Sequence, residues 1–175
     1  MERHLQRLSG LLEEAIAGMT PVELEWHPEG KWCAAEILEH LFLAYSSTVK
    51  GLRRQMEKAA ANCPPMTFRD HVGQFVVITL GHMPEGRKSP EQVKPRGMPA
   101  GEVPNAIRDA LPALDAAITE CEKRFGARVR IMNHLILGPL TAAGWRKFHF
   151  VHSRHHVMQI RRLREQMQSG RATRA

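Results

Sequence analysis

The chain has 175 residues, 43% of them hydrophobic and 25% charged, and 25 Lys and Arg against 18 Asp and Glu give a formal charge of +7. That length suits one domain, and that composition excludes a chain that stays disordered. Cys33, Cys63 and Cys121 are too few and too scattered for a disulfide framework or a zinc ribbon, and free thiols fit a reducing compartment. The N-terminal MERHLQRLSGLLEEAIAGM is charged and helical in period, unlike a signal peptide, and no stretch approaches the roughly 20 apolar residues of a membrane span. A cytoplasmic protein that does not enter a membrane is therefore expected.

Taken in chain order, Leu5, Leu8, Leu12, Ile16 and Met19 recur at helical spacing and predict a first helix over residues 2–18. Thr20-Pro21-Val22-Glu23 combines an N-cap, a Pro at the first helical position and a capping-box Glu, so a short helical turn follows. After a loop over 26–31, a second long helix is predicted from Trp32 to Ala60, ahead of Asn62-Cys63-Pro64-Pro65. Thr67 caps a third over 68–82. Residues 83–104 carry five prolines and three glycines, which no helix or strand tolerates, so this segment reads as a lid or binding arm or else as a surface excursion. A fourth helix carries Ile107, Leu111, Leu114, Ile118, Cys121 and Phe125 on one face. Pro112 either lies in its first turn, with a start near Asp109, or kinks a helix that starts near Asn105. Residues 126–140 read as a connection, and Thr141 caps a last helix reaching Gln168. Strand-type alternation is nearly absent. The expected architecture is all-α, a four-helix bundle with extra helical pieces, a Pro-rich loop at 83–104 and a basic tail at 170–175.

The ten histidines are the most informative residues. Plotted at about 100° per residue, the last helix has an apolar face of Trp145, Phe148, Ile160, Leu163 and Met167, with Arg146, Lys147, Arg154, Arg161, Arg164 and Glu165 mostly opposite. His149, His152 and His156 fall on the apolar face, and His155 at its edge. A single core histidine is ordinarily a hydrogen-bonded structural residue. Three in a row are another matter, because each unsatisfied buried polar atom costs roughly 1–3 kcal/mol and joint protonation sets like charges in a poor dielectric. A shared metal ion removes both penalties, since neutral imidazole is a preferred ligand of zinc, nickel and iron. His152 and His156, spaced i, i+4, point to one side of the helix. A third ligand must come from elsewhere, and His40 of the second helix lies on a stripe of small residues (Cys33, Ala44, Ser47, Gly51); it reads as that ligand or as a half-exposed edge histidine. Glu36, one turn earlier, is placed to accept the spare imidazole proton of His40, and Gln159, one turn after His156, either does similar work or binds a metal-bound water.

These residues resemble the DinB-like (YfiT-like) metal-binding four-helix-bundle superfamily. The resemblance rests on Trp32, Glu36 and His40-Leu41 of the second helix, and on Leu140-Thr141, Trp145 and His152-x-x-x-His156-x-x-Gln159-Ile160 near the end of the chain. The segment GHMPEGRKSPEQVKP is similar to a Pro-rich insertion in one branch of that superfamily, although Asn133-His134-Leu135 stands where the branch usually has His-Pro. The resemblance implies a three-histidine site of His40, His152 and His156 holding zinc or nickel, with His149 as a spare ligand or a group behind the ligands. It further implies a homodimer, and transferase or isomerase chemistry that uses a low-molecular-weight thiol.

Three functions compete at this point. A metal-dependent enzyme, transferase- or hydrolase-like and acting on a small molecule, needs an open coordination position. A non-catalytic metal-binding or interaction protein would instead close the site with a fourth protein ligand, for which His149 is the candidate. A nucleic-acid-binding protein would use the basic residues Arg87, Lys88, Lys94 and Arg96 of the loop and Arg161, Arg162, Arg164, Arg171 and Arg174 at the end of the chain. With one Tyr and 6% aromatics, few rings interleave with those cations, so this third reading is the weakest. The loop cations suit an anionic substrate or thiol cofactor, but plain solvation is the favoured reading. No nucleophilic cysteine motif is visible.

Overall fold

The structure is a computed structural model that describes residues 1–84 and 89–172, the last three by their backbone alone. Arg87, Lys88, Arg174 and the side chain of Arg171 lie outside the described residues, as does most of the basic tail.

Helix α1 (Arg3–Ile16) buries Leu5, Leu8, Leu12 and Ala15, the i, i+3, i+4 stripe of an amphipathic helix. The short α2 (Pro21–Leu24) starts at the capping box of Thr20 and Glu23. The second long helix of the sequence is α3 (Ala34–Met56), shorter than expected at both ends. At its start Cys33 is the N-cap: its Sγ accepts from the Glu36 amide at 3.4 Å, and the Glu36 carboxylate accepts from the Cys33 amide at 2.8 Å. At its far end the chain unwinds at Glu57, and Arg124 holds the Lys58 carbonyl at 3.0 Å.

The helix expected over 68–82 is α4 (Phe68–Gln74), capped by Thr67 and Asp70 and continued by a π-helical turn over Phe75–Thr79. There Leu80 N–H reaches back five residues to the Phe75 carbonyl, which absorbs one extra residue. The Pro-rich segment is not devoid of structure, since Glu91–Val93 form a single 3₁₀ turn. Helix α5 (Val103–Phe125) starts earlier than either expected position and carries Pro112 in its interior. Pro112 has no N–H for the Arg108 carbonyl, and burial of Leu111, Leu114, Ile118 and Cys121 on one face holds the helix together across that gap.

The connection at 126–140 holds the main departure from an all-α reading. β1 (Arg130–His134) and β2 (Gly138–Thr141) pair antiparallel, with Met132 opposite Leu140 and His134 opposite Gly138 and an irregularity between Arg130 and Met132. His134 closes the turn, its Nδ1 accepting from the Ile136 and Leu137 amides at 3.1 and 3.2 Å. Gly138 has φ +69°, and a Cβ there would run into the Asp70 carboxylate, so no other residue fits where α4 crosses the hairpin. Gln74 pins that crossing by donating to the Leu137 and Pro139 carbonyls.

Helix α6 (Ala142–Ala172) follows directly, with the Thr141 hydroxyl accepting from the Gly144 amide at 3.1 Å. α3 packs along α5 and α1 along α6, and α6 also meets α5 and α3. Leu5, Leu38, Leu41, Leu114, Ile118 and Ile160 are fully enclosed between them. No helix among the described residues is long and apolar enough to cross a membrane. The fold is mostly helical, with one small two-stranded sheet.

Arg146, expected on the charged face of α6, is buried. It reaches Glu122 at 2.7 Å, the Thr119 hydroxyl at 2.9 Å and Asp115 at 3.4 Å, all on α5. Asp115 also accepts from the Glu2 amide at 2.9 Å, so one cluster joins α1, α5 and α6. Removing one partner of such a cluster strands the others without compensation. Arg146→Ala is expected to destabilise the fold by roughly 3–5 kcal/mol, read as a lowered urea midpoint. An unchanged midpoint would show that the cluster contributes nothing net.

Candidate metal centre

Helices α3 and α6 bring His40, His152 and His156 together. One ring nitrogen from each lies within 4.8 Å of the others. His152 Nε2 is 3.3 Å from His40 Nε2 and 3.2 Å from His156 Nε2. His40 and His156 are buried and His152 half-buried, so the edge reading of His40 does not hold. His40 lies between the Trp32 ring, with centroids 5.4 Å apart, and the segment that carries Val93. His152 stacks on Phe148, with ring planes 8° apart.

Proton accounting limits what these rings can be. His40 Nδ1 donates to the Val93 carbonyl at 2.7 Å, and His156 Nδ1 donates to the Gln159 amide oxygen at 2.8 Å. Both imidazoles spend their N–H at Nδ1, so each turns a bare Nε2 lone pair toward His152. His152 has one proton for two such neighbours, and its own Nδ1 is enclosed without a partner. Adding protons is not a remedy. Burial, followed by the neighbouring rings, holds His152 well below the usual histidine range and His156 at about 3. Burial lowers His40 as well, partly opposed by the Val93 carbonyl. The cluster is a set of neutral donors with more lone pairs than protons.

A cation that accepts all three lone pairs satisfies this arrangement. Zinc–imidazole bonds of about 2.0–2.1 Å at tetrahedral angles put ligand nitrogens roughly 3.3 Å apart. The two separations at His152 already match that spacing. The groups behind the ligands match as well: a backbone carbonyl holds His40, and a side-chain amide holds His156 while donating to His155 Nε2 at 3.2 Å.

Gln159 thus stands where the sequence placed it, and Glu36 does not. The Glu36 carboxylate is committed to the Cys33 amide as part of the α3 cap, and the partner of His40 is Val93, 53 residues further along the chain. His149 does not join the cluster either. Its Nε2 bonds the Thr48 hydroxyl at 3.1 Å, and its ring stacks on Trp145. Beside it the Tyr45 and Ser153 hydroxyls hydrogen-bond at 2.6 Å, so α3 and α6 are joined by polar contacts next to the histidines. The small residues of α3 leave no empty channel at Gly51, because Met132 Sδ lies 2.7 Å from where a Cβ would sit.

Other expected features are also accounted for. Lys94 pairs with Glu91 at 2.6 Å and Arg96 reaches the Gln92 carbonyl at 3.5 Å, so both loop cations have partners close at hand. Arg161 pairs with Glu14 at 3.1 Å, and Arg164 reaches the Ala15 carbonyl in the last turn of α1 at 3.5 Å. Burial raises the thiols of Cys33 and Cys121, which keeps them protonated and poor nucleophiles. The residue missed from the sequence is Glu39, whose buried carboxylate binds the Pro-rich segment next to His40. Its place in the pattern, beside His40, gave no signal, because its partners are backbone amides almost 60 residues away.

Comparison with known families places the chain. It belongs to the family described as "Protein of unknown function (DUF1569)", whose model matches residues 11–163. No curated protein and no solved structure matches it.

The buried neutral histidines set a pH dependence. Burial holds His149 at about 3, against an unperturbed value near 6.5 in the unfolded chain. Above about pH 6.5 neither state binds the proton; below it the unfolded chain does and the folded chain does not, so stability falls from there toward about pH 3. Each such imidazole steepens the loss by up to about 1.4 kcal/mol per pH unit. In metal-free protein His149→Leu is expected to give a shallower fall in urea-unfolding free energy between pH 6.5 and 4. An identical slope in variant and wild type would contradict the neutral assignment.

Proposed function

We propose that the chain is a metal-dependent enzyme whose centre is a divalent transition metal, zinc or nickel, held by His40, His152 and His156. The observation that carries this reading is the convergence of three neutral, enclosed imidazoles whose Nε2 lone pairs outnumber the protons available to them. Three neutral ligands leave the ion its full positive charge, and it supplies Lewis-acid activation of a bound water or thiol. The chain's own residues supply the rest. Val93 and Gln159 fix the ligand tautomers, Phe148 and Trp32 orient the rings, and the helix pair α3 and α6 sets the spacing.

An open position, and so catalysis rather than a closed structural site, is supported by His149. Its Nε2 is committed to Thr48 and its ring stacks on Trp145, which holds the fourth-ligand candidate of the sequence in another contact. The DinB-like resemblance fits the same helices and the same three histidines, and with it go a four-helix-bundle description of α1, α3, α5 and α6, a homodimer, and transfer or hydrolysis of a small molecule with a low-molecular-weight thiol.

Elemental analysis of the purified chain is expected to find about one transition-metal ion per chain, or uptake of one from added Zn²⁺ or Ni²⁺. His152→Ala and His156→Ala should abolish it, whereas His149→Leu should retain it. A wild-type chain that carries no metal and refuses both ions would overturn the reading. Activity is to be sought by incubating the metal-loaded chain with thiols and electrophilic acceptors, and should vanish with His152→Ala.

A further inference from the structure

Of the three clustered histidines, His40 alone comes from α3, and its outer partner comes from a different part of the chain. The segment from Pro90 to Met98 returns across α3 and is attached there at two adjacent residues. At one, Val93 carbonyl accepts from His40 Nδ1 at 2.7 Å. At the other, the Glu39 carboxylate accepts from the amides of Arg96 at 2.8 Å and of Gly97 and Met98 at 3.0 Å each.

Glu39 is 4% exposed, and among the described residues no Lys, Arg or His lies within ion-pair distance of it. A carboxylate taken out of water normally needs a cation; this one is stabilised by three converging backbone N–H groups instead. That arrangement is specific to one loop shape. It requires Gly97 at φ +90°, a conformation that L side chains rarely adopt. The segment is otherwise stiff. Its 3₁₀ turn is closed by Val93 N–H to Pro90 and by the Lys94 to Glu91 ion pair, Pro95 and Pro99 restrict the chain on either side of the clamp, and Ala100 and Val103 are buried just beyond it. With so few free dihedrals between residues 93 and 96, fixing the amides of 96–98 also fixes the carbonyl of 93.

We propose that Glu39 is a positioning residue for the metal centre: by clamping the 93–98 strap it holds the Val93 carbonyl on His40 Nδ1, keeps the His40 Nε2 lone pair directed at the metal, and couples metal loading to strap order. This inference rests on the metal reading above. Orienting groups behind metal ligands typically change affinity by about 10–100-fold. Because binding linkage is reciprocal, a strap that favours the metal must itself be tightened by the metal to the same degree.

The test uses the full-length metal-free chain titrated with Co²⁺, followed by its visible ligand-field absorption and by hydrogen exchange of the strap amides. In the wild type, Co²⁺ is expected to slow exchange at residues 96–98. Glu39→Gln places an amide NH₂ against strap N–H donors and should weaken Co²⁺ binding about tenfold, with loss of the metal-dependent protection. Gly97→Ala perturbs the clamp from the strap side, at a position with open space around it, and should act in the same direction if Glu39→Gln fails to fold. Thr67→Ala, which removes the α4 cap, controls for general destabilisation and should keep wild-type Co²⁺ affinity.

Wild-type Co²⁺ affinity in the folded Glu39 or Gly97 variant, or strap exchange that ignores Co²⁺, would overturn the positioning role and leave the metal reading intact. A wild-type chain that binds no Co²⁺ would overturn both.

Discussion

An imidazole taken out of water is held neutral, and a neutral imidazole has one N–H and one lone pair to place. That constraint organises the space between α3 and α6. His40 and His156 place their N–H groups outward, on Val93 and Gln159, so their lone pairs face inward onto His152. His149, one turn away, places one nitrogen on Thr48 and leaves the other enclosed. Burial that keeps protons off these rings leaves their lone pairs bare, the form in which imidazole binds a metal ion. Much of the surrounding structure serves to keep the rings buried and aimed: the aromatic stacking of Trp145 and Phe148, the Tyr45–Ser153 bond, and the strap over α3.

The helices that carry the site are anchored away from it. The Arg146 cluster ties the start of α6 to α5 and the chain's N-terminus, and Arg161 and Arg164 tie its later turns to α1. The hairpin delivers Thr141 directly to the first turn of α6, which sets where the 100° spiral of histidines begins. Arg146, Arg161 and Arg164 of α6 therefore hold the helix against its neighbours.

What was legible in the sequence was whatever depends on helical period. The 3.6-residue spacing of α6 was enough to put His152 and His156 on one side, and Gln159 one turn beyond His156, because all three sit on one rigid element. The caps at Thr20, Thr67 and Thr141 were equally local. Contacts that cross long stretches of chain were not legible. Glu36 has the right spacing to serve His40, but the Cys33 capping box claims its carboxylate, and the carbonyl that does serve His40 arrives on a Pro-rich segment without periodicity. Arg146 reads as a surface cation until α5 brings Asp115 and Glu122 to it. The hairpin escaped because strands of five and four residues around a tight turn carry too little alternation, and its turn is held by a histidine side chain rather than by a turn-forming residue pair.

The most direct test of the central claim is X-ray absorption at the zinc edge of the zinc-loaded chain. Three imidazole nitrogens at about 2.0–2.1 Å, with the outer-shell scattering of intact rings, are the predicted result. A spectrum with oxygen neighbours alone and no ring scattering would contradict it.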